Sequence, residues 1–316
     1  MRIAIVGAGA IGGFIAAMLA RAGARVGVVA RGAHLDAIRR DGITLVHSDA
    51  GSFNATVDAS DDLRALGHID VALLTFKAHQ WDAFLPQLAA AVQAGTVVVT
   101  LQNGVPFWFR RTPPLQTVDP GGRIGAHIPD TQTIGGVVHV SGHIVAPGQI
   151  HQSGGTRYIL NVLDPATQDR LNQLAAMMRE AGLTPEIEPN IRHFVWLKLI
   201  NNAGLNPVSA LRHMTIHEML SDPAAREEVR ALMLEAVAVG RALGAVDEVD
   251  LEARMQYAQR LTDVRTSMLQ DLEAHRRLEL DPIVGAIVEL GEDLGVPVPR
   301  LRAAYDELRA QTAAFS

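Results

Sequence analysis

The chain has 316 residues, which is enough for two domains of ordinary size, and its formal net charge is −6. The acidic balance argues against general nucleic-acid binding, and the absence of cysteine excludes disulfides, thiolate nucleophiles and cysteine–zinc sites. No apolar run is long enough to span a bilayer and no secretory signal is visible, so the sequence predicts a cytoplasmic protein with no membrane partner.

The sequence begins with a strand–turn–helix–strand pattern. Residues 2–6 form an apolar run typical of a buried strand, and residues 7–12 follow with the spacing G-x-G-x-x-G. An alanine-rich helix is predicted over 13–22 and a second strand over 25–30. A glycine-rich turn between a strand and a helix is the context that a dinucleotide-binding motif requires.

The three glycines of this turn have separate roles in such a motif. Gly7 permits the tight turn, Gly9 lets the backbone approach a pyrophosphate, and Gly12 lets the helix pack closely on the strand. The helix N-terminus adds free N–H groups and a positive dipole. The predicted cofactor-binding residues of the turn are Gly7, Ala8, Gly9, Ala10, Ile11 and Gly12.

The residue after the second strand bears on which nicotinamide dinucleotide binds. An NAD site usually has an acidic residue there, which accepts a hydrogen bond from the ribose 2′-hydroxyl. This chain has Arg31, and a guanidinium can hold a 2′-phosphate through two hydrogen bonds. The sequence therefore predicts NADP rather than NAD. The alternative is that Arg31 is a solvated residue at a strand end.

Strands and helices then alternate as far as about residue 162. Strands are predicted over 69–76 and 96–101 with a helix over 81–92 between them, so the sheet is expected to be parallel and doubly wound. Short strands with glycine turns follow and predict an antiparallel extension of that sheet. These strands cover residues 134–140, 143–146, 149–152 and 158–160.

From residue 165 onward the chain is predicted to be helical almost throughout. Apolar residues recur at helical spacing over 224–243, 251–261, 282–294 and 300–311. We therefore expect an α/β fold with two domains. A Rossmann-type NADP-binding domain would cover residues 1–165, and an all-helical substrate and dimerisation domain would cover residues 166–316.

Polar residues follow two of the predicted strands. Lys77 comes after the strand over 69–76, and Asn103 with Gly104 comes after the strand over 96–101. Open α/β sheets bind ligands at the carboxyl ends of their strands. Asn103 is therefore expected at the nicotinamide ribose or the substrate carbonyl, and Lys77 near a phosphate or a carboxylate. The alternative is a simple turn and a solvated loop charge.

Three polar residues at helical spacing form the sharpest pattern in the second half. Lys198, Asn202 and Asn206 are each four residues apart and would stack on one face of a helix. Their neighbours are largely apolar, so this stripe is expected to be partly buried. A buried lysine must be paired or lower its pKa, and either makes it a candidate proton donor. The alternative is a structural lysine with helix-capping asparagines.

A further polar pair lies late in the chain. Ser267 could bind a carboxylate, and Glu279 could accept a hydrogen bond from a substrate hydroxyl. Alone the pair is a weak signal, because Ser267 would also suit a helix N-cap and Glu279 the start of a helix.

In their order along nearly the whole chain, these motifs resemble the ketopantoate reductase family (2-dehydropantoate 2-reductases). The motifs are Gly7-x-Gly9-x-x-Gly12, Arg31, Lys77-Ala-His-Gln80, Gln102-Asn103-Gly104, Lys198-x-x-x-Asn202-x-x-x-Asn206-Pro207, Ser267-Met-Leu-Gln-Asp271 and Glu279-Leu-Asp281. The resemblance implies an NADPH-dependent enzyme that reduces 2-dehydropantoate, a small 2-oxo acid, to pantoate in pantothenate and coenzyme A biosynthesis.

The resemblance also implies a role for each site residue. Lys198 would be the catalytic acid, and Arg31 would hold the 2′-phosphate. Lys77 and Asn103 would line the nicotinamide end. The implied substrate contacts are Asn202, Asn206, Ser267 and Glu279.

Two features depart from the family pattern. Residues 212–217 lack an asparagine that family members often carry, and the loop over 106–130 is unusual. Its aromatic residues 107–109 could form a wall or lid over the site, a dimer contact or buried anchors. A reductase of another 2-oxo acid, a 3-hydroxy acid or an imine is therefore one alternative. A non-catalytic NADPH sensor is the second alternative, although a sensor would not need Lys198, Asn202 and Asn206 at this spacing.

Neither metal binding nor oligomeric state is fixed by these patterns. His213 and His217 are one helical turn apart, but no carboxylate–histidine motif accompanies them, so no metal is predicted. We favour a homodimer, because an apolar helical domain could bury an interface.

Overall fold

The computed structural model describes residues 1–47, 51–262 and 264–315. The chain divides by its internal contacts into two units. The first unit comprises Met1–Gln102 and Arg123–Ile191, and the second comprises Asn103–Gly122 and Arg192–Ser316.

The first unit contains the strands and five of the helices among the described residues. The strands are β1 (Arg2–Val6), β2 (Arg25–Val29), β3 (Ile43–His47), β4 (Gly51–Ala55), β5 (Asp58–Ser60), β6 (Val71–Leu74), β7 (Val97–Thr100), β8 (Thr133–Ala146), β9 (Gln149–Val162) and β10 (Thr184–Ile187). The helices are α1 (Ala10–Arg21), α2 (Gly32–Asp41), α3 (Trp81–Gln93), α4 (Arg123–His127) and α5 (Gln168–Glu180).

The strands of the described residues form one sheet in the order β4-β3-β9-β8-β7-β6-β1-β2-β5, with β10 also pairing with β9. The pairs from β5 through β2, β1, β6 and β7 to β8 are parallel, as predicted from the alternation of strands and helices. Strands β1, β6 and β7 lie in the middle and are almost wholly buried. Such strands read as continuous apolar runs because both faces are covered.

The antiparallel extension is confirmed, but its strands are longer than predicted. The four short strands expected between residues 134 and 160 are two strands of 14 residues each, β8 and β9. Their pairing shifts register between His139 and Ser141, between Ser141 and Gly142, and between Ile144 and Ala146. Gly142 and Gly154 resemble turn residues in the sequence but lie at these register shifts, because an extra residue can bend a strand without ending it.

Two boundaries differ from the prediction for local reasons. Helix α1 begins at Ala10 rather than at residue 13, because Gly9 is already the N-cap and its carbonyl accepts from Gly13 N–H at 2.8 Å. The predicted division between residues 165 and 166 lies inside the first unit. Helix α5 and strand β10 belong to that unit because β10 pairs in parallel with β9.

The second unit is helical, as expected. It contains α6 (Ile191–Arg212), α7 (Ile216–Ser221), α8 (Pro223–Ala242), α9 (Leu251–Gln259), α10 (Ser267–Glu273), α11 (Ala286–Leu294) and α12 (Pro299–Gln311), with Ile191 itself assigned to the first unit. A π-helical turn, Asp281–Gly285, leads into α11. None of the helices in the described ranges combines the length and apolarity needed to cross a membrane.

A buried aromatic core joins residues 103–122 to α6. The side chains of Phe107, Trp108 and Phe109 are at most 4% exposed, so they are buried anchors of this unit. The ring of Phe109 lies 5.5 Å from that of Trp196. The indole Nε1 of Trp196 donates to the carbonyl of Ala236 on α8 at 2.9 Å. These contacts position the start of the 103–122 segment against the helix that carries Lys198.

Candidate active site

The site in the second unit is centred on Lys198 of α6. Its Nζ donates a hydrogen bond to Oδ1 of Asn103 at 2.8 Å. The amide nitrogen Nδ2 of Asn103 donates to Oε2 of Glu279 at 3.3 Å. One side-chain amide thus links a potential proton donor to a carboxylate. Its oxygen accepts from the ammonium group and its nitrogen donates to the carboxylate. The structure therefore brings together three of the residues predicted from sequence.

The environment of Lys198 tunes its acidity. Burial lowers the pKa of Lys198 to about 8, and the nearby negative charge of Glu279 partly opposes that shift. The side chain keeps a partly accessible surface, whereas Glu279 is only 8% exposed. An ammonium group with a pKa close to neutrality is a suitable general acid, because it is largely protonated yet gives up its proton readily.

The two other polar residues of the predicted stripe also stand on α6, beyond Lys198. Asn202 and Asn206 follow at one-turn intervals, and Asn206 is buried at 6% exposure. Neither side-chain amide hydrogen-bonds another described residue, so neither acts as a helix cap. The amide atoms of both residues keep contact with solvent, so they are available to a polar ligand.

Ser267 is the first residue of α10, and the N-cap is Thr266, whose hydroxyl accepts from Leu269 N–H at 3.2 Å. The alternative interpretation of Ser267 as an N-cap is therefore wrong. Its exposed hydroxyl makes no hydrogen bond within the part of the chain that the structure describes. Ser267 therefore makes no hydrogen bond to Lys198, Asn103 or Glu279.

The glycine-rich turn of the first unit has the geometry expected of a nucleotide site. Gly7 has φ +99°, and a Cβ there would lie 2.6 Å from Phe76 N. A Cβ at Gly12 would lie 2.2 Å from Gly7 O, so both positions require glycine. A Cβ at Gly9 would meet nothing within 4 Å. Close backbone packing surrounds the turn, and Gly9 alone faces open space.

The remaining residues of the turn divide into two kinds. The N–H groups of Gly7 and Ala8 both donate to the carbonyl of Val29 at 3.1 Å, so they hold the turn on β2. The N–H groups of Ala10, Ile11 and Gly12 lie in the first turn of α1, where a helix offers donors without intrahelical acceptors. These three are the groups that fit a pyrophosphate.

Arg31 is exposed at the end of β2 and is the N-cap of α2. Its Cζ lies 4.5 Å above the centre of the Phe84 ring of α3. Stacking holds a guanidinium flat while leaving its in-plane N–H groups free to meet a phosphate. Lys77 lies three residues beyond the end of β6, and its backbone N–H donates to Gln80 Oε1 at 3.1 Å.

Two residues that support the turn were missed by the sequence reasoning. The hydroxyl of Thr75 donates to Gly7 O at 2.7 Å, and His34 Nε2 contacts Ala8 O at 2.7 Å. The Nδ1 atom of His34 accepts from Gly148 N–H at 3.0 Å, so Nε2 carries the proton. Thr75 precedes a strand-end loop and could have been noticed, but nothing in the pattern around His34 marks it.

Within the described residues, no group of three or more histidines and carboxylates could hold a metal ion. His217 Nδ1 instead contacts Gln259 O at 2.8 Å.

Two family models match the chain. The model described as ketopantoate reductase PanE/ApbA matches residues 3–165, and the model of the C-terminal part of that family matches residues 190–312. The 2-dehydropantoate 2-reductase of Mesorhizobium japonicum is 39% identical over 317 residues, which cover 98% of this chain and 97% of the relative.

Solved structures are similar over the full length. A protein assigned as a ketopantoate reductase from Ralstonia solanacearum MolK2 is 38% identical with a TM-score of 0.91, covering 99% of this chain and 98% of its own. A D-mandelate dehydrogenase solved with NADH and anilino(oxo)acetate has a TM-score of 0.86, covering 100% and 99%. At 22% identity, that second likeness shows a shared fold only.

A dinucleotide-type unit and a helical unit with a lysine-centred polar site are features of nicotinamide-dependent oxidoreductases. The matches make the assignment specific: the chain belongs to the ketopantoate reductase family.

Proposed function

We propose that this chain reduces 2-dehydropantoate to pantoate with NADPH, a step of pantothenate and coenzyme A biosynthesis. The observation that carries the proposal is the hydrogen-bonded group of Lys198, Asn103 and Glu279 in a chain of this family. The overall change adds one hydride and one proton to the carbonyl of a 2-oxo acid and leaves a 2-hydroxy acid.

The glycine-rich turn is suited to NADPH. Gly9 leaves room for a pyrophosphate beside the N–H groups that open α1, and the close packing at Gly7 and Gly12 keeps those groups in place. Arg31, which lies over the Phe84 ring, would bind the 2′-phosphate that distinguishes NADPH from NADH. When bound, NADPH supplies the hydride.

Lys198 would hold the proton that the substrate oxygen receives. As negative charge develops on that oxygen, the ammonium group stabilises it and then transfers a proton from Nζ. The side-chain oxygen of Asn103 accepts a hydrogen bond from the ammonium group and so restricts the direction of that group. Glu279 holds the other end of the same amide, and its charge helps to keep Lys198 protonated.

The other polar groups would hold the substrate. The unpartnered amides of Asn202 and Asn206 are suited to a hydroxyl and a carbonyl oxygen, because an amide both donates and accepts. Ser267 would bind the carboxylate through its exposed hydroxyl, and Lys77 would sit at the nicotinamide end. The homodimer and the cytoplasmic location expected from the sequence stay predictions.

The test measures NADPH oxidation by the purified protein with each member of a panel of 2-oxo acids. The same rates are measured with NADH in place of NADPH. Fast turnover of 2-dehydropantoate with a preference for NADPH is expected. Turnover only of another 2-oxo acid, such as one bearing an aromatic ring, would overturn the substrate assignment and keep the Lys198 chemistry. Tight NADPH binding without turnover of any 2-oxo acid would instead favour a sensor.

A further inference from the structure

The loop that carries Asn103 packs against the π-helical turn Asp281–Gly285. The carbonyl of Pro282 accepts a hydrogen bond from Val105 N–H at 2.7 Å. Gly104 has φ +83°, and a Cβ there would lie 2.4 Å from the same carbonyl oxygen. The backbone of the loop therefore rests directly on this turn, one residue beyond the amide that holds Lys198 and Glu279.

Tyr305 of α12 spans the π-helical turn from its first residue to its last. Its hydroxyl donates to Asp281 Oδ1 at 2.7 Å. Its ring packs on Gly285, where a Cβ would lie 2.9 Å from Tyr305 Cε2. Burial and the bond to Asp281 raise the pKa of Tyr305 to about 12, so the phenol remains a donor throughout the physiological range.

The same turn is continuous in sequence with the other half of the site. Glu279 precedes Asp281 by two residues, so a shift of the turn would move Glu279 and the Asn103 loop together. A π-helical turn is also a less regular hydrogen-bonding arrangement than an α-helix and needs support from its surroundings. The contacts from α12 supply that support at both ends.

We propose that Tyr305 is a positioning residue for the reductase site, which it serves by holding the turn Asp281–Gly285 against the loop of Asn103. This role rests on the proposed function, because it is exerted through Asn103 on Lys198 and Glu279. Tyr305 is 6% exposed and belongs to none of the motifs on which the family resemblance depends. Its hydroxyl hydrogen-bonds Asp281 and neither Lys198 nor Asn103, so its influence on the site is indirect.

The test compares Y305F with Y257F. Tyr257 is 70% exposed, so its variant is a matched control for loss of a phenolic hydroxyl. In Y305F we expect kcat to fall on the order of tenfold, because a small displacement of a catalytic group strongly lowers the rate of the chemical step. The KM for NADPH should change far less than kcat, since the residues proposed to hold the pyrophosphate and the 2′-phosphate lie in the first unit. The amide hydrogen of Val105 should exchange faster than in the wild type, whereas Y257F should match the wild type in all three measurements.

Either readout can overturn the role. Unchanged kcat in Y305F would contradict it, and so would lost kcat with unchanged Val105 exchange. If the wild type reduced no 2-oxo acid, the proposed function would fail. The positioning contact would then still be judged by Val105 exchange, which must accelerate in Y305F and not in Y257F.

Asp281 provides a second pair of variants should Y305F fold poorly. D281N keeps an oxygen acceptor for the Tyr305 hydroxyl and should retain kcat within about twofold of wild type, whereas D281A should reproduce the loss. The ion pair of Asp281 with Arg277 spans 3.9 Å between exposed groups and contributes little. Equal activity of D281A and D281N would contradict the role of Tyr305.

Discussion

The ammonium group of Lys198 donates a hydrogen bond to the side-chain oxygen of Asn103, 2.8 Å away and 95 residues distant in the sequence. The contact joins the segment 103–122 to helix α6 within the second unit. Its consequence is chemical: the lysine that we assign as proton donor has one N–H committed to an amide, and its direction is thereby restricted.

The first prediction concerns pH. Lys198 acts in its protonated form, and its pKa is lowered to about 8, so kcat for reduction should fall as the pH rises through about 8. The negative charge of Glu279 raises that pKa, so E279Q should move the descending limb to lower pH. The measurement is kcat against pH with saturating NADPH. A limb at the same pH in both proteins would contradict the assignment.

The second prediction separates two glycines of the turn. Gly9 has φ −67° and open space at its Cβ, so G9A should keep the wild-type melting temperature but bind NADPH at least about tenfold more weakly. G12A should lose stability, because its Cβ would clash with Gly7 O. Thermal unfolding and NADPH titration check both. Undiminished NADPH affinity in G9A would show that the pyrophosphate does not lie against Gly9.

Arg31 carries the third prediction. R31A should raise the KM for NADPH by roughly ten- to a hundredfold, the worth of one or two charge-assisted hydrogen bonds, and leave the KM for NADH almost unchanged. R40A is a matched control, because Arg40 is an exposed arginine of α2, the helix that follows Arg31. Steady-state kinetics with both cofactors provide the comparison. Equal changes for NADPH and NADH would argue against the 2′-phosphate role.

Asn206 allows a prediction in which stability and activity move in opposite directions. Asn206 is 6% exposed and its amide hydrogen-bonds no other described residue, so N206L should raise the free energy of unfolding by up to about 1 kcal/mol. The same change should raise the KM for the 2-oxo acid. N172L, at an exposed position of α5, should change neither quantity. Chemical denaturation and kinetics test the pair, and a destabilised N206L with normal KM would refute the substrate role.

Much of the first unit follows from its sequence, because local patterns determine it. The glycine spacing over residues 7–12 lies between two apolar strands, and this context fixes the turn, helix α1 and strand β2. The length of β8 and β9 does not follow, because a glycine in a bulge and a glycine in a turn look alike in sequence. Strand β10 could not be predicted, because its four residues are too few to show strand periodicity and lie in a region predicted to be helical.

The candidate site was only partly predictable. The four-residue spacing of Lys198, Asn202 and Asn206 reveals their common face on a helix. The bridge from Asn103 to Glu279 joins residues 176 apart, and no periodicity reports such a contact. The π-helical turn and the hold of Tyr305 on Asp281 are likewise visible only in three dimensions.

The most direct test of the account compares wild type with K198A on 2-dehydropantoate, together with NADPH titration of both proteins. We expect K198A to bind NADPH as tightly as wild type and to lose turnover by roughly a hundredfold to ten-thousandfold, the usual contribution of a general acid. A K198A protein that retained the wild-type kcat would contradict the assignment of Lys198 as the proton donor.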